Sequence, residues 1–530
     1  MLIDGIEGNL NTVNPNDIES VSVLKDAASA SIYGARASFG VILVTTKSGK
    51  SGKTNVNYSG NVRFNDAIGI PELMDSYTFA QYFNRASSNR GGGDIFSPAV
   101  MERIKAYQEG TLTATTVDNG SGIWQKWANA NGNTDWFGEF YDNWVPSQEH
   151  NLSISGGTEK LQYVLSGSFL DQKGLLRHGT DKFQRYTLNS KITANITDWL
   201  KVTLNSKWTR EDFQRPTYLT SSFFHNLARK WPVHPAYDPN GFPMDEGEIE
   251  QMENGGEQNS QKDYYTNQLH VVIEPIKNWR INLEGSVRTT TQYQHWEVLP
   301  VHAYDVNGDP YYTVWDMGYG SYSAGSSRVD EYSWKENYYT TNIYSDYFKQ
   351  FDNGHYFKVM AGFNAELYKK GGLTGFGTDL ITPSVPELNT TQDNKNAYNS
   401  ASELAIAGFF GRINYNYKER YLLEANLRYD GSSRFIGDKR WGLFPSFSVG
   451  WNISREEFFK PLSNIIGTLK LRGSWGQLGN NETEAWYPFF QSMPTGTTNS
   501  GWLINGVRQN TAGLPGIVSS VLTCLLYTSP

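Results

Sequence analysis

Two glycine-lysine pairs in TKSGKSGKT, residues 46–54, each stand before a hydroxyl residue, as in a loop that cradles phosphate. Such a loop also carries a glycine five positions earlier. Val44 and Lys47 occupy those places, so the stretch reads as a basic flexible link. The Asp-x-Asn-Gly sequences in YDPNGFP, 237–243, and YDVNGDPYY, 304–312, would open a calcium loop of oxygen ligands. Neither supplies the later bidentate glutamate, and the same residues are standard turn formers. The eight histidines form no HExxH pair, no G-x-S-x-G elbow occurs, and Cys524 is the single cysteine. With no nucleophile, metal triad or base to name, the sequence predicts neither an enzyme nor a cofactor. It does supply aromatic surface, with 16 Trp, 32 Tyr and 27 Phe making up 14% of 530 residues. Trp124, Trp127, Trp136, Trp231, Trp296 and Trp315 lie in long segments rich in Asn, Asp and Gln. Flat rings beside amides and carboxylates suit sugar rings or extended peptides. The same rings would equally pack those segments onto one another or onto a partner.

Strands must position these segments. In TNVNYSGNVRFN, 54–65, Val56, Tyr58, Val62 and Phe64 fall on one face and Asn55, Asn57, Asn61 and Arg63 on the other. RINLEGSVR, 280–288, sets Ile281, Leu283 and Val287 against Arg280, Asn282, Glu284 and Arg288. Period two over such lengths means strands with one apolar and one wet face. Roughly thirteen such segments recur, each about nine residues or longer, the length a tilted strand needs to cross a bilayer. Tight turns near Gly156, Thr197, Ile276, Phe351 and Tyr417 alternate with inserts at 66–147, 211–261, 295–334 and 370–402. Outer-membrane barrels have this order, with short periplasmic turns and long outer loops. Trp199, Trp279, Tyr415, Tyr417 and Tyr421 stand at strand ends, where aromatic girdles lie. An apolar content of only 38% fits a barrel that hides its apolar half in alternate residues. The net charge of −8 argues against nucleic acid as a partner. The predicted fold is a transmembrane antiparallel β-barrel.

A different unit precedes it. The sequence predicts a capped turn at Asn14–Ile18, a strand at Ser20–Leu24 and a short helix at Ala27–Tyr33 between Asp26 and Gly34. The apolar run Val41–Val44 follows, the pattern of a strand covered on both faces. So few elements cannot hold a core alone and must pack inside something larger.

The segment NPNDIESVSVLKDAASASIYGARASFGVILVTTKSGK, 14–50, resembles the end of the plug domain of SusC/RagA-like TonB-dependent outer-membrane transporters. NTDWFGEFYDNWVPSQEHNLSISGGTEKLQYVLSGSFLDQKGLL, 133–176, resembles the end of that family's first long loop and its second and third strands. The resemblance implies a small αβ plug remnant, residues 1–50, in the lumen of a partial barrel, residues 54–481. It also implies import of glycan or peptide cargo across the outer membrane, with pulling by the TonB–ExbB–ExbD complex and a SusD-like lipoprotein as lid. Departures from the family pattern are the leader, the TonB box, the start of the plug and the last strands of a barrel of about 22. VLTCLLYTSP, 521–530, does not continue the pattern and reads as a non-native tail, so the chain reads as a fragment. Within this frame Arg36 is a plug cation, and Glu284, Glu366 and Glu424 share the inward parity opposite Leu283, Phe363 and Leu423. They are the expected plug–barrel latch, against the alternative of solvated pairs worth about 0–1 kcal/mol. Two rival functions stay open. A passive porin would need no plug, and a β-rich surface adhesin would need no strict turn alternation.

Overall fold

The computed structural model describes residues 1–25, 40–316, 321–462, 464–481 and, beyond these, 483, 486–490, 493, 495–496, 503–509, 511–512 and 525–529. The amino-terminal residues make a small sheet of β1 (Leu2–Ile3), β2 (Ile6–Glu7), β3 (Ile18–Leu24) and β4 (Val41–Thr46), in the order β2-β1-β4-β3. β1 and β4 are parallel; the other pairs are antiparallel. Asp4 and Gly5 both have positive φ and turn β1 into β2, as an Asp-Gly hairpin does. The predicted turn is a 3-10 segment, Pro15–Asp17, capped by Asn14 Oδ1, which accepts the Asn16 N–H at 2.9 Å. Ile3, Val13 and Val44 pack with Ile18, while Leu2 and Val41 reach Leu478 of the large sheet. The expectation that β4 is covered on both faces is met over part of its length, since Val41 and Leu43 pack with Leu2, Leu24 and Leu478 while Val44 on the opposite face packs with Ile3, Val13 and Ile18. Val41, Val44 and Thr46 are buried, but Ile42 is exposed, as are Val21 and Val23 on β3. Ile42 shares the face of Val44, so among the described residues that face is open only toward the start of the strand. The helix expected over Ala27–Tyr33, and Arg36 with it, fall outside the described residues.

A fourteen-stranded sheet takes up most of the chain. Its long strands follow in sequence, each antiparallel to the last. They are β5 (Gly52–Asn65), β6 (Val145–Gly157), β7 (Leu161–Lys173), β8 (Lys182–Thr197), β9 (Leu200–Pro216), β10 (Glu257–Ile276) and β11 (Trp279–Val298). Then come β12 (Arg328–Gln350), β13 (His355–Leu380), β14 (Thr391–Tyr417), β15 (Tyr421–Ser432), β16 (Trp441–Asn452) and β17 (Lys470–Asn480). Leu525–Ser529 adds a short strand beside β17, and the sheet is open between that strand and β5.

Burial along these strands is inverted relative to a soluble sheet. Val56 is 62% exposed and Leu188 57%, while the inward-facing Asn282 is 6% and Thr290 3% exposed. An apolar outside and a packed polar inside are what a bilayer solvent selects.

Two expectations about the connections are corrected. The inserts expected at 211–261, 295–334 and 370–402 are shorter, at 217–256, 299–327 and 381–390, because the strands run on. Apolar alternation gives out before the backbone ladder does. Outward-facing Lys369 and Glu403 pair across β13 and β14 at 3.0 Å, and the ladder continues beyond them to Thr391. The strict short/long order also breaks at 453–469, a long connection on the short-turn side. There Glu456 accepts hydrogen bonds from Tyr421, Trp451 and Arg420 and ties the segment to the strand ends.

Candidate functional site: polar lumen, plug contact and loop cap

Strand parity fixes which side chains face the lumen, and neighbouring strands then saturate them. Glu284 on β11 accepts from Asn342 Nδ2 at 3.2 Å and Tyr344 OH at 3.3 Å, both on β12. Glu366 on β13 accepts from Tyr338 OH at 2.7 Å and Asn364 Nδ2 at 3.1 Å. Glu424 on β15 accepts from Asn414 Nδ2 at 2.6 Å and Asn426 Nδ2 at 3.0 Å, with the Arg412 guanidinium 3.8 Å away. Glu284 and Glu366 line one cavity of about 1180 Å³, which also meets Leu2 and Gly5 of the small sheet. Glu424 stands apart, on a separate recess of about 450 Å³.

The best-defined contact between the small sheet and the wall is one that sequence reasoning missed. Asp4, at the β1–β2 hairpin tip, accepts from the Thr46 N–H at 2.9 Å and the Thr46 hydroxyl at 2.8 Å, which fixes the tip to β4. From the wall, Lys207 Nζ reaches it at 2.5 Å, Asn205 Nδ2 at 3.1 Å and Lys191 Nζ at 3.8 Å. Gln268 on β10 donates to the Asp4 carbonyl at 3.0 Å, so three wall strands hold one turn. Burial alone would raise the Asp4 pKa, but Lys207, Lys191 and these hydrogen bonds outweigh it and hold the carboxyl below 3.8. Asp17 accepts from Ser166 Oγ of β7 at 2.6 Å, and there burial wins and lifts the pKa. The Asp-Gly pair inside LIDGIE was the signal for the hairpin. Nothing in sequence tied it to lysines nearly two hundred residues on.

The long loops fold on one another into a cap with its own apolar cores. Helices α1 (Ser76–Asn89), α2 (Pro98–Gln108), α3 (Trp136–Phe140), α4 (Ser221–Arg229) and α5 (Ile249–Asn254) supply it. Trp136, Phe140, Phe223, Leu227, Ile249 and Val301 form one cluster, and Ala80, Phe96, Val100, Ile104 and Val233 another. Trp136 is fully buried, donates its indole N–H to the Trp231 carbonyl at 3.0 Å, and carries the Lys230 ammonium 4.6 Å over its ring. Trp231 packs among Phe79, Phe83 and Phe96, and Trp127 meets its edge at 5.9 Å. Trp127 also stacks on His234 at 4.6 Å and donates to Glu246 Oε2 at 2.5 Å. Trp124 is half-buried and bridges Asp118. The structure thus gathers Trp124, Trp127, Trp136 and Trp231 into the cap. Trp296 lies on β11 itself, 5.9 Å from the Arg328 guanidinium. Trp315 is in a two-residue strand paired with Ser321–Tyr322.

Ion pairs lock the cap. Lys126 of the first loop bonds Asp245 and Glu246 of the 217–256 loop, both at 2.6 Å. His234 is fully buried; burial first, then the charges of Lys230 and Lys126, press its pKa well below 6.5. Its neutral ring accepts the Trp127 N–H on Nδ1 at 3.5 Å and donates from Nε2 to the Asp245 carbonyl at 3.0 Å. The carboxylates of Asp238 and Asp305, the two candidate calcium turns, accept backbone N–H groups at 2.8–3.0 Å, as turn residues do.

An inside-out antiparallel sheet, a polar lumen with a small sheet pinned inside it, and a folded cap over its loops define a plugged transmembrane β-barrel. Residues 208–510 match the family described as TonB dependent receptor-like, beta-barrel, and residues 1–41 match the TonB-dependent Receptor Plug Domain. The chain belongs to the TonB-dependent receptor-like β-barrel family. It is 29% identical over 506 residues to the TonB-dependent receptor SusC of Bacteroides thetaiotaomicron, covering 90% of this chain and 44% of that protein. It is 28% identical to the TonB-dependent receptor P39 of Formosa agariphila, covering 90% and 42% respectively. The structure of the RagAB peptide importer in its closed-closed state superposes with a TM-score of 0.76 at 20% identity, over 97% of this chain and 56% of that one, and so shares the fold. The chain spans about half the length of the curated relatives it matches.

Proposed function

We propose that this chain is the plug end and the first barrel strands of an energised importer in the bacterial outer membrane. It takes up glycan or peptide nutrients with a SusD-like surface lipoprotein and is opened by the TonB–ExbB–ExbD complex. The observation that carries this reading is the seating of the small sheet. Among the described residues it is held in the lumen chiefly by hydrogen bonds and ion pairs at Asp4, Asp17 and Thr12, with apolar contact through Leu478. Polar contacts of this kind re-form with water when pulled apart, so a plug fixed by them leaves without unfolding the wall. A passive porin has no use for such a seat. The family relation to SusC and the fold shared with the RagAB peptide importer support the same assignment.

Arg36 facing Glu284 and Glu366, with Glu424 on its own recess, is proposed as a second plug contact. Trp124, Trp127 and Trp231, together with Trp296 and Trp315, are the proposed ligand or lid contacts, while Trp136 braces the cap from within. The test is uptake of a labelled oligosaccharide or peptide by cells expressing the full-length protein. Uptake should stop when the proton-motive force is collapsed, and tags within 66–144 should be reachable on intact cells. Uptake indifferent to energy, or tags reached only after lysis, would overturn the reading.

A further inference from the structure

A second cavity, of about 310 Å³, lies between the plug turn at Ile6–Thr12 and the wall at Lys207, Lys262, Arg288 and Trp334. That volume is at the lower end of the roughly 300–1,000 Å³ usual for small-ligand sites. Lys262 of this lining, which also lies 4.9 Å over the Tyr264 ring, and Lys370, on the strand beside the lining residue Trp334, both bring their ammonium groups to that indole. Lys370 Nζ stands 4.4 Å and Lys262 Nζ 5.4 Å from the Trp334 ring centre, and Gln292 fixes that ring by accepting its N–H at 3.0 Å. Ring faces hold cations in place, but they do not neutralise them.

The other cations of this cleft are paired, Lys207 with Asp4 and Arg288 with Glu336. Lys262 and Lys370 form no ion pair among the described residues, because the carboxylates across the ladder are engaged elsewhere. Glu211, opposite Lys262, accepts from Tyr264 OH at 3.2 Å. Glu336, opposite Lys370, takes Arg288 at 3.2 Å and the Tyr368 hydroxyl. Two half-buried ammonium groups beside one ring, neither with a carboxylate partner among the described residues, offer positive charge to an anion.

We propose that this cleft is a cargo subsite for an acidic oligosaccharide, with Lys262 and Lys370 binding a uronate carboxylate above Trp334. The inference rests on the importer reading and adds the charge class of its cargo. The rest of the lining favours sugar over peptide. Asn205, Thr266 and Thr290 offer amide and hydroxyl groups to ring hydroxyls. Strands β9 to β12 are paired along both sides, so the wall has no free edge to which a peptide backbone could add.

The probes are tetragalacturonate, maltotetraose as a neutral oligomer of equal length, and tetraglutamate, each titrated into the purified full-length protein. Tetragalacturonate should bind tightest, and its advantage should fade with added salt. Lys262→Gln and Lys370→Gln should each weaken it about tenfold, the loss of one charge-assisted contact. Maltotetraose binding and the melting temperature should stay at parent values, and Lys262→Arg should keep most of the affinity. Variants that bind tetragalacturonate like the parent overturn the subsite, and so does a lysine-dependent preference for tetraglutamate. An uptake arm separates the two claims. Energised uptake that is blind to charge overturns the subsite alone, whereas lysine-dependent binding with energy-independent uptake overturns the importer reading alone.

Discussion

Replacing Asp4 with asparagine is the most direct probe of how the plug is held. Asparagine keeps the size and the hydrogen bond from the Thr46 N–H, but it leaves Lys207 and Lys191 without their anion. The Asp4 side chain is 9% exposed and that of Lys207 20%, so the pair is largely withdrawn from water. Breaking one partner of a buried pair costs about 3–5 kcal/mol, and the partial exposure of Lys207 places this case near the lower figure. About 3 kcal/mol is roughly a hundredfold change in the ratio of docked to undocked plug. The assay is single-channel conductance of the full-length protein in planar bilayers, with limited proteolysis of residues 1–25 as a structural readout. Asp4→Asn should raise the frequency of open events on that scale and expose the plug to protease. Lys207→Met in the same background should recover part of the loss, because it removes the stranded charge. Conductance unchanged by Asp4→Asn, or a double variant whose effects simply add, would refute the ion pair as the restraint.

Other predictions follow from the same geometry. Leu204→Arg, on the outward face of β9, should cost about 2–4 kcal/mol of membrane folding stability, whereas arginine at the inward neighbour Thr203 should cost little, measured by urea titration in lipid vesicles. Trp136→Ala should destabilise the cap by about 3–5 kcal/mol, seen as faster amide exchange across 217–256 with the strands unchanged. Acid should act on the cap before the plug. His234 has a folded pKa below 6.5, so its contribution is complete above 6.5 and fades as pH falls, while the Asp4 contribution is complete above 3.8 and fades only below that. Amide exchange at pH 5 should therefore speed up in 217–256 and stay slow in 1–25. Alanine at Trp124 or Trp231 should reduce cargo uptake while leaving lipoprotein association intact, and release of the lipoprotein by either change would make these rings scaffold.

The strands were legible because each follows a local rule, the alternation that puts Val56 and Tyr58 outside and Asn55 and Asn57 inside. Parity likewise located Glu284, Glu366 and Glu424 on the wall. What parity cannot carry is the pairing of residues distant in sequence. Asp4 with Lys207, and Lys126 with Glu246, depend on which loop or turn comes to rest on which strand. The upper ends of β10 to β14 were illegible for another reason. Above the apolar band both faces meet water, so residues 391–402 show no alternation although their backbone is still paired. Trp136 looked alike in sequence to tryptophans that face solvent, since only the packing of α3 against α4 marks it as a core ring.

The overshoot of β13 and β14 sets a stand-off distance. From Ser402, next to the Lys369–Glu403 pair where outward apolar alternation gives out, to Thr391 the strand covers 12 residues. At about 3.3 Å per residue and a tilt near 45°, that is a rise of roughly 30 Å. The rim on this side therefore stands clear of the apolar band by that distance. If the proposed lipoprotein rests on this rim from the same side, it would need a tether of about nine extended residues between its acyl chain and its first folded element. Shortening that tether would pull such a partner off the rim before any interface residue was touched.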